Sequence, residues 1–463
     1  MSQQRWIRRI AAAALVAVAS VAVAATSSPS QQVEAQTPAG LGAGGEFHAL
    51  TPYRAFDSRP ISPINVSNPG ARRIDPAAEF NVRLAGTGTL PAASADVLAV
   101  VATVTVVDPT GAGWLAVRPS GTAVPSPRSS LVNFSRGRNV PNLAIVGLGA
   151  DGGVTVTMGP RSGGTANVII DVYGFISKSS YSERGSRLTP VGPARLVDTR
   201  ETRTPLGAAQ VRAVKIRGAN SYMPTLTPAV PNRATVTAAL VNIGVVNNRA
   251  RSTATFLSAS PAPPTPPIKT SNVNVGAGQV KTVLAVVPVV DGNIYVYNHS
   301  GETDLIVDIF GYFESRPDDT TTGRIVPLEA PFRAFDTREP AFGNLPLGTG
   351  TVEDWSFDAF TKSVSLPSGG GVDLSAQSAL IGNLTGTDLN RLYPSVRAST
   401  YLTGFPGDAG RPLVANLNVV EGEVVPNMSL IPYSRTGAAN VIKMYNHYGS
   451  MHYLLDVYAI VLK

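Results

Sequence analysis

The chain writes one opening motif and one closing motif three times, always in the same order. The openings are Pro52-Tyr-Arg54-Ala-Phe-Asp57-Ser-Arg59, Pro193-Ala-Arg195-Leu-Val-Asp198-Thr-Arg200 and Pro331-Phe-Arg333-Ala-Phe-Asp336-Thr-Arg338. The closes are Ile170-Asp171-Val-Tyr-Gly-Phe175, Val307-Asp308-Ile-Phe-Gly-Tyr312 and Leu455-Asp456-Val-Tyr-Ala-Ile460. The opening aspartates stand 141 and then 138 residues apart, and each closing aspartate follows its opening one by 114, 110 or 120 residues. Such a period is too long for a solenoid repeat and has the size of a whole domain. The chain is therefore three copies of one small domain, and whatever all three carry belongs first to the fold.

Between the motifs, no stretch holds a helical period. Short β-branched runs bounded by turn residues predict strands at 97–107, 131–134, 143–148, 154–158 and 168–175 in the first copy. The second copy repeats them at 235–246, 272–275, 282–290, 294–297 and 305–313. Asp151-Gly-Gly and Asp291-Gly-Asn fall at matching places and read as hairpin turns. Gly (44) and Pro (37) are abundant among 463 residues and charged residues are only 15%, as many short elements joined by tight turns require. The expected fold is all-β, three tandem β-sandwiches with Greek-key or jelly-roll connections, with β-barrel modules as the alternative. Runs such as 97–107 and 283–290 are apolar on both faces, which predicts central strands covered twice.

The predicted domains are 47–176, 187–314 and 324–463. The segments 177–186 and 315–323 read as polar linkers, with little interface specified between copies, so the copies are expected to behave as semi-independent units, each with its own sheets. Ahead of them, Arg5, Arg8 and Arg9 precede an apolar run of small residues that ends near Ala22-Val-Ala24. This predicts a signal peptide over 1–24, cleaved after Ala24 or after Ala35, followed by a flexible tether over 25–46. The run is too short to span a bilayer, so no membrane span is expected in the mature chain. The destination is extracellular or at the cell envelope.

Removing 1–24 lowers the formal charge from +7 to +4, and the remaining Lys and Arg are scattered rather than clustered. Nucleic acid is not an expected partner. With no cysteine, a disulfide framework, a thiolate metal site and a cysteine nucleophile are all excluded.

The order Pro-x-Arg-x-x-Asp-Thr-Arg, Ser271-Asn-Val-Asn-Val, Val140-Pro-Asn-Leu-Ala-Ile-Val and Asp-Val-x-Gly-Phe/Tyr resembles a repeat family of secreted actinobacterial proteins. Their units open on LLDTR-type and close on DVxGYF-type sequences. The resemblance covers nearly all of 47–463, is specific at both ends of each unit and is looser between them. The third copy departs most, with Ala459 for the closing glycine and Leu384-Thr-Gly-Thr-Asp388 for an apolar strand end. The resemblance implies an exported β module, in tandem or beside extracellular enzymes, without a defined activity.

Two constellations are candidates for sites. The first comprises Arg54, Asp57, Arg59 and Asp171, with Arg195, Asp198, Arg200 and Asp308, and with Arg333, Asp336, Arg338 and Asp456. They could form a carboxylate–guanidinium site for a sugar or cation. A carboxylate inside an apolar strand such as 168–175 is costly without a cation, however, so the expectation is a structural staple between the first and last strands of each copy. On that reading Asp308→Ala would melt the second copy alone.

The second constellation is aromatic. Trp114, Phe256 and Tyr401 share one aligned position, each followed by Leu and then by Pro119, Pro261 or Pro406. They are read first as packing and second as ligand-stacking rings beside the variable loops 120–129, 261–269 and 405–411.

His48, His299, His447 and His452 are the only histidines and none recurs in all three copies. No catalytic motif, metal site or cofactor is expected. The chain reads as a non-catalytic structural or adhesive surface protein. The alternative is a protein that binds carbohydrate or cell-wall polymer, and the partners foreseen are envelope polysaccharide or other surface proteins.

Overall fold

The β-branched runs and turn residues resolve, in a computed structural model of the chain, into strands and almost nothing else. The structure describes residues 44–60, 72–94, 96–124, 129–220, 229–266, 268, 270–357, 363–365, 371–373, 377–389, 399–434 and 440–463. The expected signal peptide and nearly all of the tether lie outside the described residues.

The first module holds β1 (Glu46–Asp57), β2 (Glu79–Arg83), β3 (Val97–Val107), β4 (Gly113–Pro119), β5 (Val132–Phe134), β6 (Val140–Gly147), β7 (Gly153–Met158) and β8 (Asn167–Ser177). The second holds β9 (Ser186–Asp198), β10 (Val211–Lys215), β11 (Val236–Asn247), β12 (Thr255–Ser260), β13 (Val273–Val275), β14 (Gln279–Pro288), β15 (Asn293–Asn298) and β16 (Asp304–Ser315). The third holds β17 (Ile325–Asp336), β18 (Val352–Ser356), a small hairpin of β19 (Ser363–Ser365) and β20 (Gly371–Asp373), β21 (Gln377–Thr387), β22 (Ser399–Pro406), β23 (Leu417–Val420), β24 (Val425–Pro432), β25 (Val441–Asn446) and β26 (His452–Leu462). Among the described residues the one α-helix, α1, is the single turn Thr199–Thr202.

Each module is a sandwich of two antiparallel four-stranded sheets. The first module's inner sheet runs β1-β8-β3-β6 and its outer sheet β2-β7-β4-β5. The others repeat this order as β9-β16-β11-β14 over β10-β15-β12-β13, and as β17-β26-β21-β24 over β18-β25-β22-β23. This is the strand order of a jelly roll. No sheet among the described residues closes into a barrel.

The closing motif owes its glycine to this pairing. A Cβ on Gly174 would lie 2.4 Å from the His48 carbonyl oxygen, so the paired strand leaves no room for one. In the third module Ala459 stands opposite Pro327 and is accommodated.

Every residue of β3 and β8 is buried, although each strand has only one outer sheet to cover it. The second cover is the next module. Strand β14 of the second module packs on β1 and β6 of the first, β24 of the third on β9 and β14 of the second, and β6 of the first on β17 and β24 of the third. The cycle closes, and one apolar cluster runs from Val100 and Ile170 through Leu240 and Leu284 to Leu430 and Ile460.

Two joints are capped by asparagines. The edge strands β24 and β14 present outward N–H groups at Met428 and Leu284. These donate to Asn142 Oδ1 (2.9 Å) and Asn427 Oδ1 (3.1 Å) of the following module. Asn142 Nδ2 in turn donates to Asn383 Oδ1 (2.9 Å), and Asn242 Nδ2 to the Ala415 carbonyl (2.8 Å). These amides satisfy edge groups that would otherwise be buried without partners. At the first-to-second joint Thr103 and Val283 occupy these positions, and Asn272 Nδ2 instead donates to the Tyr173 hydroxyl (3.3 Å).

The modules therefore differ from the expected semi-independent units. Phe47 pairs with Ser186, which joins the inner sheets of the first two modules into one eight-stranded sheet. Gly45 bridges Ile325 of the third module. The expected boundaries shift accordingly: Glu46 belongs to β1 rather than the tether, Ser177 and Ser186 are strand residues, and β16 runs on to Ser315.

Glu46, Arg187 and Arg324 hold one equivalent position in the three modules, and all three are buried together. Arg187 Nε donates to Glu46 Oε1 (3.0 Å), and Arg324 Nε lies 3.8 Å from the same oxygen. The 315–323 segment folds back to supply Asp318, which accepts from Arg187 (2.5 Å), and Asp319, which accepts from Arg184 (2.6 Å). Composition concealed this, because the linker charges pair with one another across distant parts of the chain.

A chain built this way unfolds as one unit. Calorimetry of the full chain is expected to give a single transition, and brief trypsin treatment to leave Arg184 and Arg187 uncut. Release of single folded modules would show that the joints are weak.

Candidate functional site

The repeated charged residues form a four-member chain in every module. Arg54 sits at an irregularity of β1, directly opposite Asp171 on β8, and donates to it from Nε (2.9 Å) and NH2 (3.3 Å). The same guanidinium reaches Asp57 Oδ2 (3.4 Å), three residues on. Asp57 is gripped from outside by Arg59, through Nε (3.0 Å) and NH2 (2.7 Å), and by the Arg59 backbone N–H (3.1 Å).

The second module repeats the chain with Arg195–Asp308 (2.8 Å), Arg195–Asp198 (3.0 Å) and Arg200–Asp198 (2.6 Å). The third has Arg333–Asp456 (2.8 Å), Arg333–Asp336 (3.0 Å) and Arg338–Asp336 (2.6 Å). The middle residue of Asp-[Ser/Thr]-Arg has its own task. The hydroxyls of Ser58, Thr199 and Thr337 accept from the backbone N–H of Val168 (2.9 Å), Leu305 (2.9 Å) and Tyr453 (3.0 Å), fastening the opening motif to the start of the closing strand.

Burial separates the two carboxylates of each chain. Asp171, Asp308 and Asp456 are almost wholly enclosed, and loss of water pushes all three carboxyls up, to about 6 for Asp171, against the opposing pull of Arg54, Arg195 and Arg333. Burial also acts to raise Asp57, Asp198 and Asp336, but the forks of Arg59, Arg200 and Arg338 outweigh it and hold them below the usual range. The closing aspartates also lie at the joints: the Ala415 backbone of the third module hydrogen-bonds Asp308.

The aromatic position lies on the outer sheets, away from these chains. Trp114, Phe256 and Tyr401 are half-buried, and each stands opposite an asparagine on the neighbouring strand, Asn133, Asn274 or Asn418. Trp114 lies against Gly159, where a Cβ would come within 2.5 Å of the indole, and it lines a shallow groove with Arg118 and Pro331 of the third module. Phe256 stacks on His299 (centroids 4.4 Å, 16°) and Tyr401 on His447 (4.6 Å, 18°). Tyr297 and Tyr445 complete these clusters.

His299 and His447 hold one aligned position, and the signal was present in the sequence. Tyr297-Asn-His-Ser-Gly301 and Tyr445-Asn-His-Tyr-Gly449 share Tyr-Asn-His-x-Gly, but requiring recurrence in all three copies hid it, because the first copy has Gly159 there. Among the described residues, no cluster of three or more His, Asp or Glu could hold a metal ion.

No family model and no curated protein matches the chain. Two solved structures are among those similar to it. One is the N-terminal CBM22-1-CBM22-2 tandem domain from Paenibacillus barcinonensis Xyn10C, 12% identical over 59% of this chain and 99% of that one, with a TM-score of 0.17. The other is described as a triple jelly roll fold in an archaeal virus turret assembly, 9% identical over 90% of each chain, with a TM-score of 0.16. At these scores neither likeness bears on function.

The ion-pair chains generate two expectations. Asp308→Ala would leave Arg195 without its buried partner at a joint, and is expected to cost ~3–5 kcal/mol. The loss should spread to the third module and broaden or lower the single transition, rather than melt the second module alone as the sequence suggested. Hydrogen exchange resolved by module reads the difference.

For Asp171 the folded carboxyl titrates at about 6 against an ordinary 3.8. Folding thus favours the protonated form. The contribution is fully present below the ordinary value and is lost as pH rises through about 6. Asp171→Asn stays neutral throughout and should lose less stability than the parent between pH 4 and pH 7. Parallel melting curves for the two proteins would refute the assignment.

Proposed function

We propose that the chain is an exported, non-catalytic structural or adhesive protein of the cell surface, its three jelly rolls closed into one rigid body. The observation that carries this reading is how the recurrent charges are used. Arg54, Asp57 and Asp171, with their counterparts in the other copies, are each committed to partners within the framework. The chemistry common to all three copies therefore serves the fold, and the outward faces of the outer sheets remain for contact with a partner. Export rests on the signal-like residues 1–24 and on the resemblance to secreted actinobacterial repeats.

A second reading, binding of envelope polysaccharide, is favoured by the aromatic ring beside an asparagine on every outer sheet. Such a pair offers a stacking surface and an amide oxygen, the amide nitrogens being held by the hydroxyls of Ser130, Ser271 and Thr282.

Both readings are tested by incubating the full chain with intact envelopes, with protein-stripped envelopes and with purified envelope polysaccharide. For the structural reading, retention is expected on intact envelopes and lost once surface proteins are removed. For the second, saturable retention on polysaccharide should fall with Trp114→Ala, Phe256→Ala and Tyr401→Ala combined. Release of new reducing ends would overturn the non-catalytic assignment.

A further inference from the structure

The three outer sheets share a scaffold but not a surface. In the first module Gly159 and Thr157 stand at the positions held by His299 and Tyr297 in the second and by His447 and Tyr445 in the third. The third adds a cation. Its 405–411 loop brings the exposed Arg411 over the Tyr445 ring, with the guanidinium carbon 4.2 Å from the centroid, and Arg411 NH1 donates to the Tyr401 hydroxyl (3.4 Å). His447, also exposed, stacks on the Tyr401 ring and meets the Tyr445 hydroxyl through Nδ1 (3.3 Å). Tyr448 follows it and is 47% exposed.

Among the described residues no carboxylate forms an ion pair with Arg411. The first module's nearest counterpart differs, because Arg118 is already held by Glu79 (3.0 Å) and the Thr157 hydroxyl (2.7 Å). No guanidinium lies over Tyr297 of the second module among the described residues.

We propose that this face of the third module binds an anionic sugar unit of a glycan chain, one that carries a carboxylate or a phosphate on the ring. The proposal rests on the polymer-binding reading and gives it a location and a charge. The rings able to take the apolar face of a pyranose are the half-buried Tyr401 and the exposed Tyr448, since Tyr445 is buried and lies under Arg411. A planar guanidinium offers paired N–H donors to either oxyanion. Held over the Tyr445 ring and by the Tyr401 hydroxyl, Arg411 is already ordered, so binding loses less side-chain freedom than it would with a free arginine. Because no carboxylate among the described residues pairs with it, no such ion pair must break first.

The test uses the full chain with three probes: polygalacturonate, a phosphomannan and a neutral β-glucan. The expected result is binding to one or both polyanions but not to the glucan, weakening as salt is raised. Which polyanion binds identifies the oxyanion. Arg411→Ala should weaken that binding about tenfold or more, as loss of a charge-assisted contact does, with an unchanged melting temperature. Arg411→Lys should recover only part of it, because the charge returns without the paired N–H donors of the guanidinium. Arg233→Ala, an exposed arginine of the second module, should bind like the parent. If polyanions bind but Arg411→Ala is indifferent, the site is wrong while polymer binding stands. Equal binding of the neutral glucan refutes the anionic requirement, and failure of every probe to bind the parent refutes both readings.

Discussion

A sheet that is apolar on both faces must be covered twice, and each inner sheet of this protein is such a sheet. The outer sheet of its own sandwich supplies one cover. Water cannot be the other, because β3 and β8 bury every residue, and their counterparts in the other modules are nearly as enclosed. Three copies solve the problem by covering one another in a cycle, each giving its inner sheet to the next. The interface is head-to-tail, and a head-to-tail interface leaves no end uncovered only if it closes. Here it closes within one chain.

Closure changes the meaning of the repeated charges. Within a single module, Arg54 and Asp171 tie the first strand to the last. Within the ring, the same pair lies beneath the neighbouring module, where enclosure raises the closing carboxyls and makes the arginine indispensable. The framework chain and the joint are thus one energetic unit. The joints are not identical. Two use asparagine to cap the open edge of an inner sheet, while the third has Thr103 and Val283 there and gains its continuity from the Phe47–Ser186 strand pairing.

Since the inner sheets are committed to the ring, the outer sheets are where the copies can differ. Glycine, histidine and histidine stand at one aligned position, and threonine, tyrosine and tyrosine at a second, buried one beneath it. Arg411 adds a charge over the third module's tyrosine. Divergence on a shared scaffold is how a repeated framework acquires distinct contact faces.

The sequence by itself determined the repeat, the all-β class and the residues of the framework. These are legible because strand alternation, turn residues and a carboxylate in an apolar run are local patterns with local causes. Val97–Val107 even announced two covers, since neither face of that run is polar. What the second cover was could not be read. Asn142 and Asn383 are 241 residues apart, and nothing near either one names the other. The same holds for Glu46 with Arg187 and Arg324, which look like a tether residue and two domain-edge arginines until three strands bring them together. The pairing of His299 with Phe256 and of Arg411 with Tyr445 likewise depends on which strands lie side by side. Tertiary structure decided these matters because the partner of a buried polar group is set by the packing of distant surfaces, and a linear pattern records only that a partner is needed.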